Sequence, residues 1–278
     1  MILYHFTSKN LKFKDPSKLR PELDICPWWN RAMTWEDFLE VRRKLERPEL
    51  FVYVDKIKAS EKLESEGYKV IPVIHASTEK EPFIDKLAAY SEFVAKPSHM
   101  SGSTGLIVYS KGKNLVNQKE MSLEDVQNTM FKILDTPSNS NEWYLQNMTK
   151  GFIVQEYIKD RLEIKFHTVW GRVVAITQGG SENMDWNWYT REGKPISYFS
   201  KKLPPPFLYP ELREEGIKLA EQIAKRTDAL RVDFLVKKHE NGNKELLVNE
   251  LELRSKTGGP EKESFIQLLN FGYEGMCI

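Results

Sequence analysis

The chain has 278 residues, of which 40% are hydrophobic and 29% charged, a balance typical of a globular protein with a substantial core. A formal net charge of +1 argues against a dedicated nucleic-acid-binding protein, which would be strongly basic. No apolar run approaches the roughly 18–20 residues of a membrane span, and MILYHFTSKN lacks the apolar segment of a signal peptide. We therefore expect a cytoplasmic protein without a nucleic-acid partner or a membrane span. Cys26 and Cys277 lack metal-ligand spacing and are expected to be reduced, structural thiols.

The first part of the chain is predicted to be rich in helices. Thr34, with Asp37 three residues later, is typical of an N-cap before the segment WEDFLEVRRKLE. A second helix is predicted over residues 55–66, ending at Gly67. The segment YKVIPVI then predicts a short strand. Together these elements indicate a helix-rich N-terminal region over residues 1–88.

From about residue 93 the pattern changes to strands separated by turns rich in glycine and serine. The predicted strands are FVAK, GLIVY, FIVQEYI, EIKFHTVW and RVVAIT, with a tight reversal at residues 170–172 between the last two. Helices are predicted over residues 123–134 and 210–225, the second with proline at its start. Strands in hairpins with segregated helices favour an α+β fold over a parallel doubly wound sheet.

The segment LRVDFLVKKHENGNKELLVNELELRSKTGG predicts a β-hairpin around Asn-Gly at residues 241–242. With these two residues as the loop, Asp233 lies directly opposite Glu250. In the same register, Arg231 lies opposite Glu252. Because side chains alternate between the faces of a strand, all four project from one face.

The other face of this hairpin is predicted to be its core side. Its members are Val232, Phe234, Val236, Leu247 and Leu251, with Asn249 as the only polar one. On the first face, opposed carboxylates destabilise each other unless a proton or a cation lies between them. Mg²⁺ prefers oxygen ligands, and an arginine beside the pair suits a phosphate oxygen. The alternative is a solvated face with an Arg–Glu pair. If the acids bind metal, Asp233→Asn or Glu250→Gln should abolish Mg²⁺-dependent activity while leaving thermal stability nearly unchanged or raised.

The segment SEFVAKPSHMSGSTGLIVYS has the composition of a phosphate-binding loop. Small residues let backbone N–H groups approach phosphates closely, hydroxyls add donors, and a lysine at the end of the preceding strand supplies a positive charge. The segment is not a Walker A loop, because GxxxxGK[ST] is absent and the lysine precedes the loop. The alternative is a flexible turn. The candidate phosphate-binding residues are Lys96, Ser101, Gly102, Ser103 and Thr104.

In GFIVQEYIKDRLEIKFHTVWGR an apolar strand leads into a connection in which polar residues interrupt the pattern. Exposed backbone beside a cleft would pair with the edge of an adenine base. Glu163 would accept hydrogen bonds from ribose hydroxyls, and Lys165 would point back toward the phosphates. The alternative is a strand that crosses between subdomains. The candidate base-binding residues are Gln155, Glu156, Tyr157 and Ile158.

Taken in order, these segments resemble the ATP-grasp superfamily, and among its branches the TupA-like one. The likeness spans about residues 30–259 and is carried by DKIKASEKLESEGYKVIPVI, FVAKPSHMSGSTGLIVY, FIVQEYI, EIKFHTVWGRVVAI, LRVDFLV and LLVNELELRSKTGG. It implies two α+β subdomains that enclose ATP, residues 89–158 and 159–278, preceded by the N-terminal region 1–88.

The resemblance also implies a role for each candidate residue in nucleotide binding. Lys96 matches the lysine that contacts the nucleotide phosphates, residues 155–158 match the hinge around adenine, and Glu163 matches the ribose-binding acid. Apart from the resemblance, Arg254 and Lys256, just past the acids, would hold a substrate carboxylate or phosphate; the alternative is a solvated basic loop.

For the metal site, Asp233 and Glu250 match the acids that hold Mg²⁺, with Mn²⁺ as a possible substitute. Many ATP-grasp enzymes end this motif in Glu-x-Asn, whereas here an acid, Glu252, takes the last position. Arg231 matches the arginine on the phosphate side, and Lys165 would act beside it in catalysis.

The activity implied is ATP-dependent ligation of a carboxylate to an amine. The carboxylate attacks the γ-phosphate to form an acyl phosphate, and the amine then displaces phosphate to give an amide. The partners would be a small-molecule or peptide substrate with a carboxylate, and an amine acceptor. The alternatives are a kinase that phosphorylates a small-molecule or glycan hydroxyl, and a nucleotide-binding scaffold without turnover. The aromatic segment MDWNWYTREGKPISYF either walls a substrate pocket or packs as a loop.

Overall fold

The computed structural model describes residues 50–138, 148–159, 162–169, 171–180, 186–196 and 205–253. Within these residues, two six-stranded antiparallel sheets are covered by helices, which confirms the predicted α+β class. The helix predicted after Thr34 and both cysteines lie outside the described residues. In the part of the chain that is described, no helix combines the length and apolarity that crossing a membrane requires.

Two helices open the described chain, α1 (Phe51–Val54) and α2 (Lys56–Ser65). Asp55 lies between them and caps α2, because its Oδ1 accepts hydrogen bonds from two backbone N–H groups of the first turn, at 3.1 and 3.2 Å. Gly67 follows the helix with φ +84°, the left-handed conformation common just after a helix end. The predicted helix over residues 55–66 is therefore confirmed to within one residue at each end.

The predicted strand YKVIPVI is wrong in its extent. Pro72 has no N–H to give to a ladder and divides the segment in two. Before the proline, Val70 forms an isolated bridge with Val248, and the N–H of Ile71 donates to the Val248 carbonyl at 3.2 Å. After it, β1 (Val73–Ser77) pairs within the first sheet. The chain therefore passes from one sheet to the other at this proline.

The first sheet contains β1, β2 (Glu92–Pro97), β3 (Ile107–Ser110), β4 (Lys113–Asn114), β5 (Lys119–Glu120) and β6 (Phe152–Glu156). Its strands lie in the order β1-β6-β2-β3-β4-β5. Two helices, α3 (Ile84–Leu87) and α4 (Leu123–Asp135), pack on it. Their shared core includes Phe93, Met130 and Phe152, all fully buried. Since β1 belongs to this sheet, the sheet begins within the region predicted as residues 1–88.

The second sheet contains β7 (Glu163–Val169), β8 (Arg172–Gly179), β9 (Asn187–Thr190), β10 (Pro195–Ile196), β11 (Ala229–Lys238) and β12 (Lys244–Glu252). Its strands lie in the order β10-β9-β8-β7-β11-β12. Helix α5 (Pro210–Ala224) packs on one face, where Ile217 shares a core with Phe166 and Phe234. Gly216 lies so close to Phe166 that a methyl group in its place would overlap the ring. The other face of this sheet carries charged side chains.

Most elements of the middle of the chain lie where the sequence predicts them. The five predicted strands coincide with β2, β3, β6, β7 and β8, and the predicted helices 123–134 and 210–225 match α4 and α5 to within one residue. Strands β9 and β10 fall in the aromatic segment and are not predicted. The boundaries at residues 88 and 158 stay predictions.

Candidate active site

Directly opposed residues in neighbouring strands share a face of the sheet, and this places one row of side chains across five strands. The row consists of Glu250, Asp233, Lys165, Thr177 and Trp188, on β12, β11, β7, β8 and β9 in turn. It lies on the face opposite α5. An acid pair, a lysine and a tryptophan therefore occupy one continuous line.

A second row lies two residues further along the same face. Here Glu252 is opposite Arg231, and Arg231 is opposite His167. The predicted pairings of Asp233 with Glu250 and of Arg231 with Glu252 are thus confirmed.

The turn that leads to this register is not the predicted one. Lys238 pairs with Lys244, and the N–H of His239 donates to the carbonyl of Asn243 at 2.8 Å, so the loop holds three residues rather than two. Gly242 takes φ +82° in this loop, a conformation that glycine adopts without strain. The longer loop shifts the ladder by one residue. A β-bulge at Asn249, which the pairing passes over, shifts it back.

The bulge also changes which side chains of β12 reach the core. Leu246 and Val248, near the turn, pack with Val236 and Phe234 on the α5 side. Leu247, predicted to be in that core, faces the other way and packs with Ile71 and Ile158. Asn249, also predicted on the core face, instead reaches polar partners on the charged face. The other members of the predicted core face are confirmed: Val232, Phe234, Val236 and Leu251 are all buried in the core of the second sheet.

Asp233 is the centre of the charged cluster and is fully buried. Arg231 donates to both of its oxygens, from Nε and Nη2, each at 2.7 Å. The ammonium of Lys165 lies 3.2 Å from Oδ2. Burial alone would raise the pKa of Asp233, but the two cations outweigh it and lower that pKa. Side chains of the protein itself thus supply the positive charge that an acid pair at this place requires.

The same two cations also hold neighbouring acids. Arg231 Nη2 lies 2.6 Å from Glu252 Oε2, and Lys165 Nζ lies 3.2 Å from Glu163 Oε2. Burial opposes the charge of Lys165, but attraction to Asp233 and Glu163 prevails and raises its pKa. All of these ion pairs lie within the second sheet.

Glu250 differs from Asp233 in its partner and its exposure. Its Oε1 lies 3.2 Å from the ammonium of Lys56, on α2, and its side chain is 35% exposed. Burial would raise the pKa of Glu250, but Lys56 and Lys96 lower it. Lys56 also donates to the carbonyl of Met100, in the loop after β2, at 3.1 Å. One lysine thus joins the acid to the predicted phosphate loop.

Lys96, at the end of β2, reaches across to the second sheet. Its ammonium donates to Oδ1 and to the carbonyl of Asn249, at 3.1 and 3.4 Å. The Asn249 amide in turn donates to Glu163 Oε1 at 3.0 Å. Burial lowers the pKa of Lys96, and the charge of Glu250 opposes this only in part. Burial, with the charge of Asp233, raises the pKa of Glu163.

A small cavity of about 20 Å³ between the two sheets is lined by side chains from both, and we call it the cleft. Its lining includes Lys56, Lys96, Gln155, Asn249 and Glu250. The predicted phosphate lysine, a predicted base-binding residue and a predicted metal ligand thus share one space.

The predicted phosphate loop lies between β2 and β3, beside the carbonyl that Lys56 contacts. Gly102 takes φ +66° there and is exposed, as are Ser103 and Thr104, while Ser101 is half-buried. This segment therefore lies largely at the surface of the protein.

The predicted base-binding segment lies where β6 ends and the chain crosses to the second sheet. Gln155 is buried and its Nε2 lies 3.5 Å from the carbonyl of Ile71. Ile158 packs in the small apolar cluster with Leu247, at the turn side of the charged row. Glu156, near the surface, lies 3.6 Å from the ammonium of Lys237. Tyr157, between Glu156 and Ile158 in the sequence, has a half-buried side chain. The crossing segment thus places an apolar cluster at the turn side of the charged row.

The family model for TupA-like ATP-grasp proteins matches residues 36–250. This chain belongs to the TupA-like ATP-grasp family. The match covers the two sheets, the loop after β2 and the hairpin as far as Glu250. No curated protein matches the chain significantly.

Two solved structures show the ATP-grasp fold in three dimensions. D-Cycloserine synthetase DcsG aligns with a TM-score of 0.50 and 16% identity, over 94% of this chain and 92% of that protein. D-Alanine–D-alanine ligase from Helicobacter pylori aligns with a TM-score of 0.50 and 15% identity, over 81% of this chain and 60% of that one. The chain thus spans less than two thirds of the length of the second protein. These likenesses establish the α+β ATP-grasp fold.

The cleft and the charged rows contain groups whose part in the site the sequence did not predict. Lys56 was missed because a lysine on a surface helix normally faces solvent. Asn249 was missed because the bulge that turns its side chain was not foreseen. His167 was missed because its place in the second row depends on the pairing of β7 with β11.

The aromatic segment contributes two side chains beside the charged row. The ring of Trp188 stacks on His167, with centroids 4.7 Å apart and planes 23° from parallel. Trp186 is 46% exposed, and Lys165 Nζ lies 4.3 Å from its ring centroid. The two predicted interpretations stay predictions, because Tyr189 of the same segment packs in the core against Phe207. Arg254 and Lys256 lie outside the described residues.

Proposed function

We propose that the protein is an ATP-dependent ligase that joins a carboxylate to an amine through an acyl phosphate. One observation carries the proposal. Lys96 of the first sheet and Lys56 of α2, a helix that packs on the core of the second sheet, reach Asn249 and Glu250 of the second sheet at a single place. Such a meeting point suits the triphosphate of a nucleotide held between the sheets, within residues 89–158 and 159–278.

The order of groups from the apolar cluster of the crossing segment to the charged residues of the cleft fits a nucleotide. The apolar cluster around Ile158 and Leu247 would receive the base, next to the backbone of the crossing segment. Glu163 lies between that cluster and the cations and would receive the ribose hydroxyls. Lys96 and the loop of residues 101–104 would receive the phosphates. Such an enzyme draws on the ATP of the cytoplasm, where we expect it to act.

The charged row supplies groups for the transfer itself. A substrate carboxylate oxygen would attack the γ-phosphorus as the bond to ADP breaks, and the amine would then attack the acyl carbon as phosphate leaves. Arg231 and Lys165, held by Asp233, would neutralise charge that develops on the transferred phosphoryl group. The overall reaction consumes acid, amine and ATP and yields amide, ADP and phosphate.

The carboxylates of the two rows are the type of ligand that a hard divalent cation prefers. Asp233, Glu250 and Glu252 lie in two adjacent rows and offer the oxygen ligands that Mg²⁺ or Mn²⁺ prefers. Among the described residues they do not form a ready group of three ligands, and Arg231 lies between Asp233 and Glu252. Glu250, the most exposed, is the natural first ligand. When bound, the cation would screen the charge of the β- and γ-phosphates.

The activity is tested with MgATP and pools of carboxylic acids, with and without amines. We expect ADP release that requires both an acid and an amine, and an amide product of matching mass. If the acid carries ¹⁸O, the acyl-phosphate route transfers one labelled oxygen to phosphate. Lys165→Met should abolish turnover, whereas Lys80→Met, at an exposed ion pair away from the cleft, should not.

Other outcomes would point to the alternative activities. A phosphorylated alcohol formed without any amine would identify a kinase. Binding of MgATP without release of ADP in any pool would identify a nucleotide-binding scaffold. Failure to bind MgATP would exclude all three.

A further inference from the structure

The bulge at Asn249 places an amide where the two sheets meet. Strict alternation along β12 from Leu251 would send this side chain into the core, but the extra residue turns it toward the cleft. There it contacts both Lys96 of the first sheet and Glu163 of the second. It is thus a direct link between a residue expected to contact phosphate and one expected to contact ribose.

An amide is suited to this position because it both donates and accepts. Lys96 can only donate, so it meets the amide oxygen, at 3.1 Å. A Glu163 carboxylate accepts, so it meets the amide nitrogen, at 3.0 Å. The second Glu163 oxygen is held by Lys165 at 3.2 Å. The neutral amide therefore keeps the ammonium of Lys96 and the carboxylate of Glu163 apart and prevents a direct ion pair.

We propose that Asn249 is a positioning residue that sets the spacing of Lys96 and Glu163, and so determines selection of ribonucleotides over deoxyribonucleotides. This inference rests on the proposed binding of ATP. Without the amide, Lys96 and Glu163 would pair with each other, and the acid would lose the orientation needed to accept from a ribose hydroxyl. Loss of the amide would then weaken the binding of ATP more than the binding of an analogue that lacks that hydroxyl.

Calorimetric titration with MgATP, 2′-deoxy-ATP and 3′-deoxy-ATP tests this role. The wild-type protein should bind ATP more tightly than at least one deoxy analogue, by a factor of about ten to one hundred, as expected for a hydrogen bond to a charged group. In Asn249→Ala this ratio should fall to within about threefold of one, mainly through weaker binding of ATP. Asn243→Ala, at the turn of the same hairpin, should keep the wild-type ratio.

A purely structural role gives a different result. It would weaken ATP and both analogues equally and leave the ratio unchanged, which overturns the inference. Asn249→Ser provides a second test in case the alanine variant does not fold, because its small polar side chain reaches neither partner. Circular dichroism confirms folding, and the serine variant should show the same loss of ratio. If the wild-type protein does not bind MgATP, the proposed function fails with it, whereas ATP binding with an unaltered variant ratio overturns the role of Asn249 alone.

Discussion

The two sheets contribute opposite kinds of contact to the cleft. In the second sheet, Asp233, Arg231 and Lys165 satisfy one another on neighbouring strands. Between the sheets, Lys96 of the first sheet donates to Asn249, and Lys56 of α2 joins Glu250 to the carbonyl of Met100 after β2. The first set holds whatever the spacing of the sheets, while the second exists only when they are close.

This difference separates stability from function. Charges buried within one sheet must be matched in every state of the folded protein, so their loss should show first in the free energy of unfolding. Contacts between the sheets lie where the proposed nucleotide would bind. Their loss should show first in binding and turnover.

The largest effect is expected where the contacts within the second sheet are broken. Asp233→Asn leaves Arg231 and Lys165 buried without their shared charge, and it should lower the free energy of unfolding by about 3–5 kcal/mol. This replaces the sequence-based expectation that the substitution leaves stability unchanged or raised, because attraction to two cations outweighs the repulsion between the two acids. Urea denaturation measures the loss.

A matched control for this variant is Glu214→Gln. Glu214 is also ion-paired, with Arg213, but its side chain is 72% exposed, so its effect should stay within about 0.5 kcal/mol. An Asp233→Asn protein as stable as the control would show that the buried network contributes nothing to folding.

A change of pH probes the second sheet through His167. Burial, and then the charges of Arg231 and Lys165, hold the pKa of His167 well below 6.5. Near pH 6.5 His167 becomes protonated in the unfolded chain but not in the folded chain. The free energy of unfolding therefore falls as the pH decreases. Between pH 7 and pH 5.5 this residue alone should account for about 1 kcal/mol. Denaturation at both pH values should give a smaller difference for His167→Gln than for the wild-type protein, and an equal difference would contradict the assignment.

Glu250→Gln tests the contacts between the sheets. The pair with Lys56 is partly exposed, so the free energy of unfolding should fall by only about 1 kcal/mol or less. Turnover with MgATP should fall by about 100-fold or more, because the expected metal ligand is lost. A steady-state assay beside a melting curve measures both. A large loss of stability with normal turnover would reverse the distinction between the two sheets.

The smallest effect is expected at the exposed edge of the row. Trp186→Ala removes the ring that lies 4.3 Å from Lys165 Nζ, a contact of about 0.5–1 kcal/mol at an exposed site. Trp186→Phe keeps an aromatic face and should retain most of the stability. Thermal melts of the two variants side by side provide the comparison, and identical melts would show that the ring contact is not stabilising.

The hairpin shows how far sequence reasoning reaches. The predicted pairing of Asp233 with Glu250 is right, although the predicted two-residue loop is wrong, because the three-residue loop and the bulge cancel. Alternation of side chains identifies the charged face, but nothing in the pattern distinguishes one extra residue at the turn from none. The family likeness could also be recognised from the sequence, because it depends on the order of short segments along the chain.

Contacts between distant elements were beyond the sequence. The pairing of Lys56 with Glu250 joins residues far apart in the chain and depends on how α2 packs against the second sheet. The break at Pro72 was readable in principle, because a proline cannot donate to a ladder, yet the flanking apolar residues suggested one continuous strand. The metal-binding role of the acids stays a prediction.

The bulge has a consequence for the design of β12. If residue 249 were deleted, Val248 would still face Phe234 and Glu250 would still face Asp233, in an unbroken ladder. The hairpin therefore does not need this residue to bury its leucines or to present its acids. Such an insertion can be removed without disturbing the neighbouring residues. Residue 249 is therefore an addition to a hairpin that is already complete. Its removal would convert β12 into a regular strand and would let Lys96 and Glu163 form an ion pair.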